Sequence, residues 1–318
     1  MKKICVKTVI MLLSMVMILS FTACGNDAVS EGSASVQTTG ESAESASSDT
    51  PEVTVGTVSV GDSQMRYAKF GTGEKSLVIL PGASITFTTD YAESTAPHYS
   101  MFTTDYTVYM LDVIDDVPDD YTIEQMAQDD VAVLKELGVE SMDIYGNSMG
   151  GMQGVWIAGE YPEMVNHLAV CSASCAGTDL SDSVFQNWIT LAASGDGAAL
   201  VQDMVDYMYS PSYIEEKGDS LTAGAENISS ETLARFTNIL RAADGADVTE
   251  QAEKITCPAM VFGSLGDRMF TEQASVDLAD IIGCDCYLYS NSYGHCVFSE
   301  AGTDYKNRVL AFYSQDQE

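Results

Sequence analysis

Five residues, Gly146-Asn147-Ser148-Met149-Gly150, constrain this chain more than any other stretch. They fit G-x-S-x-G, and Gly151 follows. Ser141 to Tyr145, short and partly apolar, reads as a buried strand, and Met152 to Glu160 reads as a helix that Tyr161-Pro162 ends. A serine in a glycine-containing loop can match the pattern by chance. Strand, turn and helix in that order give it physical meaning. Glycines on either side let a sharp turn close, since bulkier neighbours would clash. The turn lifts the serine hydroxyl above the sheet and puts the positive end of a helix behind it.

Net charge removes whole classes of partner. The chain of 318 residues carries 14 Lys+Arg against 47 Asp+Glu, a formal charge of -33. Such a surface repels nucleic acid and disfavours polyanionic substrates. Hydrophobic residues make up 46%, enough for a substantial core in one large domain or two small ones.

The amino terminus reads as an export signal. Lys2, Lys3 and Lys7 precede an apolar run from Val9 to Leu19, and Phe21-Thr22-Ala23-Cys24 closes it. The run falls short of the roughly 20 residues that an ordinary membrane-spanning helix needs. Cys24 after small residues resembles a bacterial lipobox. That resemblance implies cleavage after residue 23, lipid on the Cys24 sulfur and anchoring to the outer face of a bacterial cell membrane. A plain signal peptide with an incidental cysteine is the other reading. Residues 24–52 are rich in Ser, Ala, Thr, Gly and Glu, cannot bury a core and read as a disordered tether. A folded domain then spans 53–318.

Six cysteines fall in that domain: Cys171, Cys175, Cys257, Cys284, Cys286 and Cys296. Export permits disulfides, but six cysteines allow fifteen pairings, and buried thiols remain an equal reading. Cys284-Asp285-Cys286 is not C-x-x-C, so no metal ligand set is expected.

Along the domain, Val53 to Val60 and Gln64 to Phe70 alternate apolar and polar residues around Gly61-Asp62, as a hairpin does. Leu77 to Leu80, Thr107 to Leu111, Val165 to Val170, Ala259 to Gly263 and Cys286 to Tyr289 read as buried strands. Residues 85–102 are ambiguous. An acidic loop runs from Asp115 to Asp120. Thr122 opens a helix with Gln125 in a capping box, and Gly138 ends it. From 179 to about 250 the composition is helical without strand runs, an inserted cap. Thr271 to Ile282 and Ser299 to Tyr313 read as helices. Strands alternating with helices predict a mostly parallel sheet flanked by helices on both faces.

In such sheets reactive side chains stand on loops at the carboxyl ends of strands. Ser148 follows one strand, Asp267 another in Gly263-Ser264-Leu265-Gly266-Asp267, and His295 a third in Asn291-Ser292-Tyr293-Gly294-His295. A hydroxyl becomes a nucleophile when a base takes its proton, an imidazole is that base near neutral pH, and a carboxylate orients the imidazole. Of the other histidines, His167 reads as structural or exposed, and His98 as structural or pocket-lining. Cys296 reads as a packing residue.

The order Ser, Asp, His, the strand before each and the G-x-S-x-G turn together resemble the α/β-hydrolase superfamily over residues 53–318, apart from detail in the cap. The resemblance implies the α/β-hydrolase fold with a helical cap, and a Ser148–His295–Asp267 triad working through an acyl-enzyme. It also implies an oxyanion hole from the backbone N–H groups of Met149 and Ala83, with no cofactor. Two departures limit what carries over. Pro81-Gly82 stands where the family often has His-Gly, and Val113 to Asp120 replaces a glycine-rich turn. The stretch Gly146 to Gly151 is similar to the turn of hydrolases that cleave carbon–carbon bonds in ring-fission products, but six residues do not transfer that activity. Hydrolysis of a small carboxylic ester is the expected reaction. An amidase or proline-releasing aminopeptidase is the alternative, and a non-catalytic sensor on the same scaffold a third.

Overall fold

The computed structural model describes residues 51–315. The export signal, Cys24 and all but the last two residues of the tether lie outside the described residues.

Eight strands form one sheet in the order β1-β2-β4-β3-β5-β6-β7-β8. These are β1 (Val53–Val60), β2 (Ser63–Phe70), β3 (Lys75–Leu80), β4 (Tyr106–Leu111), β5 (Met142–Asn147), β6 (Val165–Cys171), β7 (Ala259–Ser264) and β8 (Asp285–Tyr289). The hairpin β1–β2 is antiparallel, β2 meets β4 antiparallel, and all pairs from β4 to β8 are parallel. All carboxyl ends from β3 to β8 therefore open on one edge of the sheet.

The helices longer than two turns are α1 (Ile123–Glu136), α2 (Met149–Glu160), α3 (Asp179–Ser194), α4 (Gly197–Met208), α5 (Pro211–Leu221), α6 (Ser230–Ala243), α7 (Glu272–Ile282) and α8 (Gly302–Tyr313). The Thr122–Gln125 capping box starts α1, with hydrogen bonds of 2.9 and 3.1 Å in the two directions. Such a cap contributes about 1 kcal/mol.

Alternation along β5 assigns the two helical layers. Ile144 points to α2, whose Gly154 backs onto its side chain, whereas Tyr145 points to the opposite face. There its ring meets Tyr305 of α8 at 5.3 Å and Tyr99 at 5.7 Å. Every residue of α2 from Met149 to Gly159 is buried. This helix is covered all round, which explains its mostly apolar composition, and its one buried amide, Gln153, donates to Asp130.

The ambiguous segment 85–102 folds into three short helical turns, Thr88–Tyr91, Ala92–Thr95 and Ala96–Tyr99. The single helix expected over 299–313 is instead two pieces, Val297–Glu300 and α8, broken where Gly302 takes φ 44°. Between β6 and β7 the chain leaves the sheet and builds the cap from α3 to α6. One isolated bridge, Ala176 to Asp247, ties its two ends together.

Candidate active site

The strand β5 runs through Asn147, and α2 starts at Met149, three residues earlier than the sequence pattern suggested. Ser148 is thus the single residue between them, at φ 51° and ψ -123°. A non-glycine residue in this region stores strain of about 1–3 kcal/mol and persists only where its surroundings enforce it. They do so sterically. A Cβ on Gly150 would sit 2.1 Å from the Leu80 carbonyl oxygen and 2.5 Å from that of Pro81. The first turn of α2 is therefore pressed against the end of β3. As the first helical residue, Met149 has no intrahelical partner for its N–H.

Three expected residues meet although they are far apart in the chain. The His295 Nε2 lies 3.0 Å from Ser148 Oγ, and its Nδ1 lies 2.9 Å from Asp267 Oδ2. The other carboxylate oxygen, Asp267 Oδ1, accepts from the N–H groups of Met269 (2.8 Å) and Phe270 (3.0 Å). Both oxygens are thereby committed, and the carboxylate cannot swing away from the imidazole. Relative exposures of 6% for Ser148, 6% for Asp267 and 1% for His295 put the group in a water-poor setting. There a charge developing on one member is felt strongly by the others. Phe270 packs its ring 5.8 Å from that of His295, and Phe185 of α3 stands behind it at 6.4 Å. The cap thus supplies part of the apolar wall.

Ser172, just after β6, was not singled out by the sequence. It has φ 53°, the other positive value at a non-glycine residue in the described chain. Its Oγ donates to the His295 carbonyl at 2.7 Å. The signal available was the run of small residues after that strand, which does not distinguish a hydrogen-bonding serine from a spacer.

The remaining readings sort clearly. His167 holds Asp143 at 2.8 Å on the amino-terminal half of the sheet, and Tyr106 donates to the same carboxylate at 2.6 Å. His98 is half-exposed on the Ala96–Tyr99 turn, with its pKa lowered by burial and then by the Lys306 charge. Burial, then the charge of Glu300, pushes the Cys296 thiol well above its ordinary range, so it stays protonated and inert. All six cysteines of the domain are free thiols here.

The acidic loop proves to be the seat of the cap. Arg235 of α6 donates to the carbonyls of Val113 (2.7 Å), Ile114 (3.1 Å) and Asp115 (3.3 Å), and Asn238 donates to that of Val117 (2.9 Å). Phe87 is held between Arg235 and Arg66, whose guanidinium carbons lie 4.1 and 3.6 Å from its ring centre. Asp112 fixes the start of the same region, accepting from the N–H and hydroxyl of both Thr88 and Thr89. A cavity of about 780 Å³ lies at the opposite edge, where Ala259 and Asp285 begin β7 and β8. No member of the Ser148 group lines it.

Residues 91–301 match the family described as the alpha/beta hydrolase fold. The pyrrolizixenacetamide deacetylase of Xenorhabdus hominickii is 25% identical over 236 residues, 71% of this chain and 85% of that protein. The 3-oxoadipate enol-lactonase 2 of Acinetobacter baylyi is 24% identical over 151 residues, 48% of this chain and 56% of that protein. Among solved structures, the enol-lactonase of Burkholderia xenovorans superposes with a TM-score of 0.71 at 20% identity, over 82% of this chain and 100% of that one. MGS-M2, an α/β hydrolase from a deep-sea metagenome library, gives a TM-score of 0.74 at 19% identity, over 82% and 98%. The chain belongs to the α/β hydrolase fold family, whose members among these relatives are hydrolytic enzymes.

Proposed function

We propose that the protein is a serine hydrolase that cleaves small carboxylic esters through an acyl-enzyme. The observation that carries this reading is the relay of 3.0 and 2.9 Å joining Ser148, His295 and Asp267, with the serine on a strained turn at a helix amino terminus. Ser148 Oγ attacks the carbonyl carbon while its proton passes to His295 Nε2. Asp267 holds the imidazole by Nδ1 and stabilises its positive form. The oxyanion accepts hydrogen bonds from the N–H groups of Met149 and Ala83, each typically worth about 10²–10³ in rate. Collapse breaks the C–O bond, and His295 returns the proton to the departing alcohol. Water then repeats the sequence on the acyl group, with His295 as its base, and frees the carboxylic acid.

Relatives point to the same bond classes. A lactone is a cyclic ester, which supports the ester reading, and a deacetylase keeps amides within range. A panel of 4-nitrophenyl esters of increasing acyl length, beside prolyl and alanyl 4-nitroanilides, separates the two. Ester turnover that disappears in Ser148→Ala is expected. Turnover of the anilides alone would replace the ester reading by an aminopeptidase or amidase.

We further propose that the protein is exported and held to the outer face of the cell membrane by lipid on Cys24. The basic start, the short apolar run and the small residues before Cys24 support this. Cys24→Ser is expected to release the protein from the membrane fraction, and continued retention would contradict the anchor.

A further inference from the structure

Three consecutive residues of the loop after β8 are tied down by main-chain hydrogen bonds. The Gly294 N–H donates to Glu300 Oε1 at 2.8 Å. The His295 carbonyl accepts from Ser172 Oγ at 2.7 Å. The Cys296 N–H donates to the Met208 carbonyl at 2.8 Å. Two of these ties lead into the cap, because Met208 ends α4 and Glu300 also binds Ser210. The Ser210 N–H donates to Glu300 Oε1 at 3.1 Å, and the Ser210 hydroxyl donates to Oε2. Ser210 is itself the cap of α5. The backbones are in direct contact here. A Cβ on Gly294 would lie 2.8 Å from the Met208 oxygen and 2.9 Å from the Ser210 nitrogen.

Glu300 is half-buried, and both its oxygens are used by three donors. None of those donors is a cationic side chain. A carboxylate that merely braced a surface turn would normally pair with water or a lysine. This one joins the N–H of Gly294, the residue before His295, to the joint between two cap helices.

Resting on the serine-hydrolase reading above, we propose that Glu300 is a positioning residue for His295, locking the imidazole-bearing loop to the cap through the Gly294 N–H and Ser210. It touches no reacting atom. It fixes where the His295 main chain stands, and hence the 3.0 Å approach of Nε2 to Ser148. The joint at 208–210 is then part of the catalytic scaffold.

The test is the steady-state kinetics of the full chain in detergent with 4-nitrophenyl acetate, beside thermal midpoints for each variant. Glu300→Ala is expected to lower kcat about 10–100-fold with KM within about twofold, since displacements near 1 Å cost rates of that order. Glu300→Gln is expected within about fivefold of wild type. Its amide oxygen still accepts from both N–H groups, and its NH₂ donates to the Ser210 hydroxyl. Ser210→Ala removes one tie and is expected to lower kcat about 2–5-fold. Added to Glu300→Ala it should cost nothing further, because both act through one linkage. Should Glu300→Ala fail to fold, the Gln and Ser210→Ala variants decide the matter by the same ranking. Wild-type kcat in folded Glu300→Ala, a loss confined to KM, or a Gln variant as poor as Ala would each overturn the proposal. A wild type without turnover, unlabelled by a fluorophosphonate, would instead overturn the serine-hydrolase reading beneath it.

Discussion

Around Ser148 the backbone is strained and close packing enforces that strain, whereas around His295 it is unstrained and hydrogen bonds add to the close contact at Gly294. Gly146 and Gly150 leave no room for a side chain against α2 and β3, and the serine between them has nowhere to relax. The histidine loop carries no comparable strain in its own φ angles. It hangs on Glu300, Ser172 and the Met208 carbonyl, contributed by three separated stretches of chain. A sterically locked turn is all-or-none, since any intruding atom displaces it. A hydrogen-bonded loop degrades in steps, one tie at a time, each worth about 1 kcal/mol.

Substitutions can break this contrast, beginning with the turn. Gly150→Ala puts a methyl 2.1 Å from the Leu80 carbonyl oxygen. It should abolish the folded site, with no ester turnover and a cooperative melt lost or far below wild type. A variant that melts and turns over like the wild type would show that packing does not lock the turn. Next in size, Asp267→Asn should lower kcat about 10³–10⁴-fold without a comparable change in stability, because the amide no longer enforces the imidazole tautomer. Melting measured beside kcat checks both halves of that statement.

The loop should respond more gently. Ser172→Gly keeps the positive φ and removes only the hydroxyl that holds the His295 carbonyl. A fall in kcat of about 5–10-fold is expected. A loss as large as that of Gly150→Ala would erase the distinction between the two regions. Arg235→Met leaves the carbonyls of Val113, Ile114 and Asp115 without this donor. Denaturant unfolding should show a loss of about 1–3 kcal/mol, with kcat changed less than in Ser172→Gly.

The two regions differ in the same way in how far the sequence reveals them. The serine turn was readable because its constraint is local: two glycines, a strand and a helix lie within 20 residues. The order of Asp267 and His295 was readable because each follows its own apolar run. The α1 cap was readable for the same local reason. The seat of the cap was not. Arg235 reaches carbonyl groups some 120 positions away, and carbonyls carry no residue identity to recognise. Ser172 and Ser210 lie among many serines, and only the folded chain shows which of them meets His295 and Glu300. The break before Gly302 was also missed, because the apolar spacing of α8 continues through it.

Acidity gives the smallest effect. Burial raises the pKa of Asp112, Asp130 and Glu300, most of all at Asp130, where the adjacent Asp129 adds repulsion. A carboxyl whose pKa is higher folded than unfolded binds its proton more tightly in the native state. Stability then rises as pH falls through the folded pKa toward the unfolded one. Asp247, Asp304 and Glu160 are shifted the other way by hydrogen bonds, and their contributions are lost only at still lower pH. From these carboxyls the thermal midpoint should climb as pH falls from neutrality toward the ordinary carboxylate range, against the opposite contribution of His98, whose pKa is lowered. Asp130→Asn should flatten that climb, and an unchanged slope would assign it to other groups.

The proposed chemistry stands or falls with Ser148 as the nucleophile, activated by His295. The most direct measurement is the intact mass and peptide map of the full chain after treatment with a fluorophosphonate, beside Ser148→Ala and His295→Ala. One adduct is expected, on the peptide carrying Ser148, absent from the first variant and slowed about 10³-fold or more in the second. An unlabelled folded wild type, or an adduct at any other residue, would contradict it.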